Sequence, residues 1–139
     1  MKDEQQLRAL IVEDDFGGRR YLQTILRNRT RCDVVVDGQE AIEAVSLAWE
    51  ENDPYRLILL DIMMPNVDGQ EALRTIRDIE RRMGVQPTDQ AKVIMTTALE
   101  DPKNVVEAYY QGGADSYLVK PIEQEKLFSL IRELGLSIG

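Results

Sequence analysis

The sequence contains no histidine and a single cysteine, Cys32. Without histidine, the commonest general base and metal ligand is missing. Any metal site must be built from oxygens or from one thiol, and oxygen ligands favour Mg²⁺, Ca²⁺ or Mn²⁺. One cysteine excludes an intramolecular disulfide, and Cys32, in the apolar run Cys32 to Val36, reads as a small buried hydrophobe. Positive charge is also scarce: 17 Lys and Arg stand against 25 Asp and Glu, a formal net charge of −8. That balance argues against nucleic acid, whose backbone is held by neutralising cations, and against an anionic membrane surface. No apolar run approaches the roughly 20 residues that span a bilayer, and Met1 to Gln6 is polar, unlike the start of a signal peptide. The expectation is a cytoplasmic protein that binds neither nucleic acid nor membrane.

What is present has the balance of one globular domain: 139 residues, 43% apolar and 30% charged. We expect a single domain over residues 1–139 with a core from about 7 to 134. Short apolar runs recur at Ala9 to Val12, Val34 to Val36, Leu57 to Leu60 and Val93 to Met95, with a weaker one at Tyr117 to Val119. Runs of this length, several rich in Val and Ile, suit strands buried on both faces of a parallel sheet. Between them lie one-sided apolar stripes at helical spacing: Tyr21, Leu22, Ile25 and Leu26; Ala41, Ile42, Val45 and Leu47; Leu73, Ile76, Ile79 and Met83; Val105, Val106 and Tyr109; Ile122, Leu127, Leu130, Ile131 and Leu134. Asp37-Gly38 opens the second helix and Asp53-Pro54 closes it. Gly112-Gly113 ends the fourth. Gly84 to Gln90, with Pro87, reads as a longer loop. Strict alternation of strands and helices gives an α/β fold: one five-stranded parallel sheet between two layers of helices, five helices in all. Periodicity alone leaves the strand order open.

In open α/β sheets, ligands bind beyond the carboxyl ends of the strands. The first strand is followed by Glu13-Asp14-Asp15, the third by Asp61, the fourth by Thr96-Thr97 and the fifth by Lys120-Pro121. Two carboxylates about 4 Å apart repel by roughly 4 kcal/mol at an effective dielectric near 20. Asp14, Asp15 and Asp61 therefore call for a cation, and Mg²⁺, with its preference for carboxylates, waters and a phosphate oxygen, fits. A carboxylate can attack phosphorus to form an aspartyl-phosphate. That reaction needs positioning and charge neutralisation more than a base. Lys120 and a threonine hydroxyl supply both. Taken singly, each residue has a plainer role: Asp14 as a helix N-cap, Asp61 and Thr97 in turns, Lys120 in solvent. Four such coincidences at four strand ends are improbable together.

Ile11-Val12-Glu13-Asp14-Asp15, Leu59-Leu60-Asp61-Ile62-Met63-Met64-Pro65 with Asp68-Gly69, Val93-Ile94-Met95-Thr96-Thr97-Ala98, Gly113-Ala114 and Tyr117-Leu118-Val119-Lys120-Pro121 resemble, in that order, the motifs of the receiver domains of two-component response regulators. The resemblance covers about Leu7 to Leu134. It implies the doubly wound, flavodoxin-like (CheY-like) sheet of order 2-1-3-4-5. Asp61 would be the phosphoacceptor. Mg²⁺ would be held by Asp14, Asp15, Asp61 and the backbone carbonyl of Met63. Thr97 and Lys120 would hold the phosphoryl group, Thr97 and Tyr117 would act as the switch pair, and Lys120-Pro121 would be a cis peptide. The donor would be a histidine kinase or histidine phosphotransfer protein, and the output contact with a downstream protein of unstated identity, the chain being a monomer or a phosphorylation-dependent homodimer. On this reading the chain is a signalling switch that catalyses only its own phosphorylation and dephosphorylation, and not a metabolic enzyme.

Met63 and Leu99, two residues beyond Asp61 and Thr97, are apolar and cannot position a hydrolytic water, so slow loss of the phosphoryl group is expected. Three alternatives share the fold. A phosphatase with an Asp nucleophile wants a second acid where Met63 stands. A flavodoxin-like cofactor binder wants a phosphate-cradling loop where Glu13-Asp14-Asp15 would repel phosphate. A receiver-like binding module without phosphorylation would lack site residues that are all present here.

Overall fold

The structure, a computed structural model, describes residues 6–64, 67–98 and 113–138. The strands are β1 (Arg8–Val12), β2 (Arg31–Val35), β3 (Leu57–Asp61), β4 (Lys92–Thr97) and β5 (Ser116–Val119). The described helices are α1 (Phe16–Leu26), α2 (Gly38–Glu50), α3 (Gly69–Arg82) and α4 (Gln124–Glu133), with a short 3₁₀ turn at Pro87–Asp89. The helix expected around Val105 to Tyr109, and with it Leu99, lies outside the described residues.

All strand pairs are parallel and the order is β2-β1-β3-β4-β5. The three central strands are buried almost throughout, which is what their unbroken apolar runs require. The edge strands are only half-buried. Strand residues alternate between faces, and the core divides accordingly. Leu10, Val12, Ile58, Leu60, Val93 and Met95 pack with Val45, Leu73 and Ile76 of α2 and α3. Ala9, Ile11, Leu57, Leu59 and Ile94 pack with Leu22, Leu26, Leu127 and Ile131 of α1 and α4. Each fully buried Leu or Ile contributes about 1.5–3 kcal/mol, so these two layers fix the sheet between the helices.

Three departures have local causes. β2 begins at Arg31, three residues before its apolar run, because β1 pairs with it from Arg8↔Arg31 onward. Leu47, placed in the apolar stripe of α2, is exposed, since it falls out of step with the buried Ala41, Val45 and Ala48. Cys32 sits on an edge strand and is half-buried rather than fully enclosed. Burial still pushes its thiol pKa up to about 11, with Asp33 adding to the effect.

Candidate functional site

The register aligns the strand ends. Val12 pairs with Leu60, so Glu13 and Asp61 come next side by side. Asp61 pairs with Thr96, and Thr97 with Val119, which leaves Lys120 one step beyond. Backbone bonds extend this order past the strands: Ile62 donates to the Thr96 carbonyl at 3.0 Å and Lys120 to the Thr97 carbonyl at 2.8 Å. The Lys120-Pro121 peptide is cis.

The Lys120 ammonium lies 2.8 Å from Glu13 Oε1 and 3.1 Å from Asp61 Oδ2. Glu13 and Asp61 are almost completely buried. Carboxylate oxygens of Glu13, Asp14 and Asp61 all lie within 4.8 Å of one another, a set able to hold a metal ion. Burial, reinforced by the neighbouring Glu13, pushes the Asp61 pKa up to about 7. Glu13 is held below its ordinary value: its burial is outweighed by hydrogen bonds from Lys120, Asp61 and the Asp15 backbone. Burial would lower the Lys120 pKa, but Glu13 and Asp61 outweigh it and raise it. One cation therefore stands against three carboxylates, and the excess negative charge is what a divalent ion removes.

Asp15 stands apart from this cluster. Its Oδ2 accepts a hydrogen bond from Gly18 N at 2.8 Å and forms the N-cap of α1. Of the acids expected at the metal, Asp14 and Asp61 come together, and Glu13 joins them in place of Asp15. The register held the signal: Glu13 follows the last residue of β1, at the level where Asp61 ends β3, whereas Asp15 lies two residues further on, where the chain turns into the helix. The plain capping role weighed for Asp14 belongs to Asp15. Sequence reading also missed Arg19, whose guanidinium donates to the Glu13 and Asp14 carbonyls at 3.3 and 3.0 Å and sits over the Phe16 ring. It braces the acidic turn from the first helix.

The loop after β3 is tied to the nucleophile it follows. Met63 N donates to Asp61 Oδ1 at 3.1 Å, while the Met63 side chain is exposed. A Cβ on Gly69 would stand 2.2 Å from the Asp61 carbonyl oxygen, so only glycine allows α3 to start this close. Asp68 caps that helix through Glu71 N at 2.9 Å. Thr97 is buried, and its hydroxyl donates to the Ala98 carbonyl at 3.3 Å. Among the described residues no hydrogen bond joins it to Asp61. Tyr117 lies on β5 and is 44% exposed.

A flavodoxin-like parallel sheet with an acid-rich, lysine-bridged rim defines a class of signalling domains. The family model for the response regulator receiver domain matches residues 9–132, and the chain belongs to that family, the phosphoacceptor signalling domains of two-component systems. It is 31% identical over 133 residues to the two-component response regulator ORR41 of Oryza sativa, covering 96% of this chain and 98% of that protein. It spans only 51% of the response regulator ArlR of Staphylococcus saprophyticus and 10% of the osmosensing histidine protein kinase SLN1 of Saccharomyces cerevisiae. Among solved structures, it resembles the S. cerevisiae co-crystal of the histidine phosphotransfer signalling protein Ypd1 with the receiver domain of its downstream response regulator Ssk1. The TM-score is 0.79 at 28% identity, over 94% of this chain and 89% of that one. It also resembles the receiver domain of the histidine kinase CKI1 from Arabidopsis thaliana complexed with Mg²⁺ and BeF₃⁻, with TM-score 0.74 at 27% identity over 93% and 89% of the chains.

Proposed function

We propose that Asp61 accepts a phosphoryl group from the phosphohistidine of a histidine kinase or histidine phosphotransfer protein. An Asp61 carboxylate oxygen forms the new bond to phosphorus, the phosphorus–nitrogen bond breaks, and the donor imidazole leaves with that electron pair and takes up a proton. The observation that carries this reading is the meeting of Glu13, Asp14, Asp61 and the Lys120 ammonium at one rim. Glu13, Asp14 and Asp61, with the Met63 carbonyl, would hold Mg²⁺. When bound, Mg²⁺ supplies positive charge against the carboxylates and the phosphoryl oxygens. Lys120 adds a second positive charge to the phosphoryl oxygens, and the Thr97 hydroxyl turns from Ala98 to donate to them. Tyr117, half-exposed on the adjacent strand, is the side chain placed to follow Thr97, so that Thr97 and Tyr117 report the modification on the surface.

On this reading the receiver unit's own chemistry is gain and loss of its phosphoryl group. Its output is a change in affinity for a downstream protein, since only differential binding shifts such an equilibrium. No described helix is long and apolar enough to cross a membrane, and we place the protein in the cytoplasm. Acetyl phosphate with Mg²⁺ tests the reading without a partner. On a phosphate-affinity gel the wild type shifts, and neither Asp61→Asn nor the EDTA-treated wild type does. An unshifted wild type, or a shifted Asp61→Asn, contradicts it.

A further inference from the structure

The turn from β2 into α2 touches both chains that build the acidic rim. Glu13 N donates to the Val35 carbonyl at 3.2 Å, so the end of β2 holds the acidic turn on one side. On the other side lies Gly38, the first residue of α2. A Cβ there would stand 2.3 Å from the Val67 carbonyl oxygen and 2.8 Å from Val67 Cγ1. Val67 belongs to the chain between β3 and α3, which also carries Met63.

Both sides of the Gly38–Val67 contact are held. Asp37 Oδ1 accepts from Glu40 N at 2.8 Å, and Glu40 Oε1 accepts from Val36 N at 2.9 Å, a reciprocal cap that fixes the start of α2. Ala41, one turn on, is fully buried in the core. Across the contact, Gly69 N donates to the Ile62 carbonyl at 3.0 Å, and Gly69 leaves no room for a Cβ beside the Asp61 carbonyl. Carbon–oxygen contacts settle near about 3.3 Å, so a methyl group on Gly38 needs about 1 Å of movement. The atom it meets first is backbone, which no rotamer change can withdraw.

We propose that Gly38 is a positioning residue for the metal site. Bare backbone at this point lets the chain after β3 sit where Met63 completes the ligand set of Glu13, Asp14 and Asp61. The inference rests on the Mg²⁺ reading given above. Mg²⁺ takes near-octahedral ligands at about 2.0–2.1 Å, and a working site tolerates errors of about 0.5 Å. A displacement of about 1 Å at Val67 exceeds that tolerance. The close approach at Gly69 blocks it from passing forward into α3, so it passes back towards Met63, whose N–H holds Asp61 Oδ1 at 3.1 Å.

Calorimetric titration of the full chain with Mg²⁺ tests the role. Gly38→Ala should bind Mg²⁺ at least tenfold more weakly than the wild type, with a cooperative urea transition showing that it is folded. Ala48→Gly, which weakens the buried far end of the same helix, should keep the wild-type affinity. Adding Val67→Ala to Gly38→Ala should not restore binding, since the closest atom is the carbonyl oxygen. Wild-type affinity in Gly38→Ala, restoration by Val67→Ala, or an equal loss in Ala48→Gly overturns the role and leaves Mg²⁺ binding itself standing. A wild type that binds no Mg²⁺ overturns both. If Gly38→Ala fails to fold, amide shifts of the wild type decide. The Gly38 and Val67 amides should move with Mg²⁺ along the same saturation curve as Met63, with Ala48 unmoved. Gly38 and Val67 amides that stay in place refute the role.

Discussion

Lys120 touches both Glu13 and Asp61, so it holds the charges of the site together before any ligand arrives. The proton on Asp61 then competes with a metal ion, because binding requires the carboxylate. With the Asp61 pKa at about 7, Mg²⁺ affinity measured by calorimetry should be constant above that pH and fall about tenfold per unit below it. The same shift has a sign in stability. A carboxyl whose native pKa is raised holds its proton in the folded state after the unfolded chain has lost it. Its contribution is present at low pH and is lost as pH rises through about 7. In metal-free buffer, Asp61→Asn should therefore gain on the wild type in Tm from about pH 4 to 7 and hold that gain above. On the proposed function, Met63 bears on the loss of the phosphoryl group. Its exposed thioether chain offers no hydrogen bond to an attacking water. Met63→Asn should shorten the phosphoryl lifetime by about tenfold or more, followed as loss of the shifted band over time.

The helices owe their starts to short-range chemistry that a sequence displays well. Asp37, Asp68 and Asp15 each accept from a backbone N–H three residues on, and the first two sit beside the glycines that mark their turns. Asp15 misleads because three acids follow β1, and composition does not say which of them turns inward. Register does: Glu13 continues the strand, Asp14 lies at the turn, and Asp15 caps the helix. Sheet alternation and most of the helix stripes among the described residues were legible because each is a local pattern; Tyr21, Leu47 and Met83, expected in those stripes, are exposed. The strand order came only through resemblance, because pairing between strands distant in the chain leaves no periodic trace. Gly38 with its contact to Val67, and Arg19 with its brace, were not legible, since each depends on segments that meet only in the fold. The capping assignment is testable at this scale. Asp15→Ala should cost about 1 kcal/mol in urea denaturation with Mg²⁺ affinity unchanged. Asp14→Asn should weaken Mg²⁺ with little loss of stability. The reverse pattern would return Asp15 to the metal.

Across the whole molecule, the sheet is closed at its lower end by a buried ionic network. Arg77 of α3 donates to Glu80 at 2.8 Å, to the Ala91 carbonyl at 2.9 Å and to Asp115 at 3.0 Å, and Nε reaches the Gly113 carbonyl at 3.1 Å. Glu80 is fully buried and accepts from Ala91 N, and Asp115 accepts from Val93 N. One arginine thus ties α3 to the starts of both β4 and β5. Arg77→Ala strands a buried carboxylate and should cost about 3–5 kcal/mol by urea denaturation. Arg77→Met with Glu80→Leu should recover much of that loss, because removing both charges is far less costly than removing one. At the upper end, the sheet gathers carboxylates that repel one another, and the central claim is that Asp61 among them takes the phosphoryl group. The most direct measurement is borohydride reduction of the acetyl phosphate-treated protein, followed by peptide mass mapping. It should find homoserine at position 61 and nowhere else, and only when Mg²⁺ was present. Homoserine at another acid, or unmodified Asp61 in protein that carries phosphate, would contradict the account.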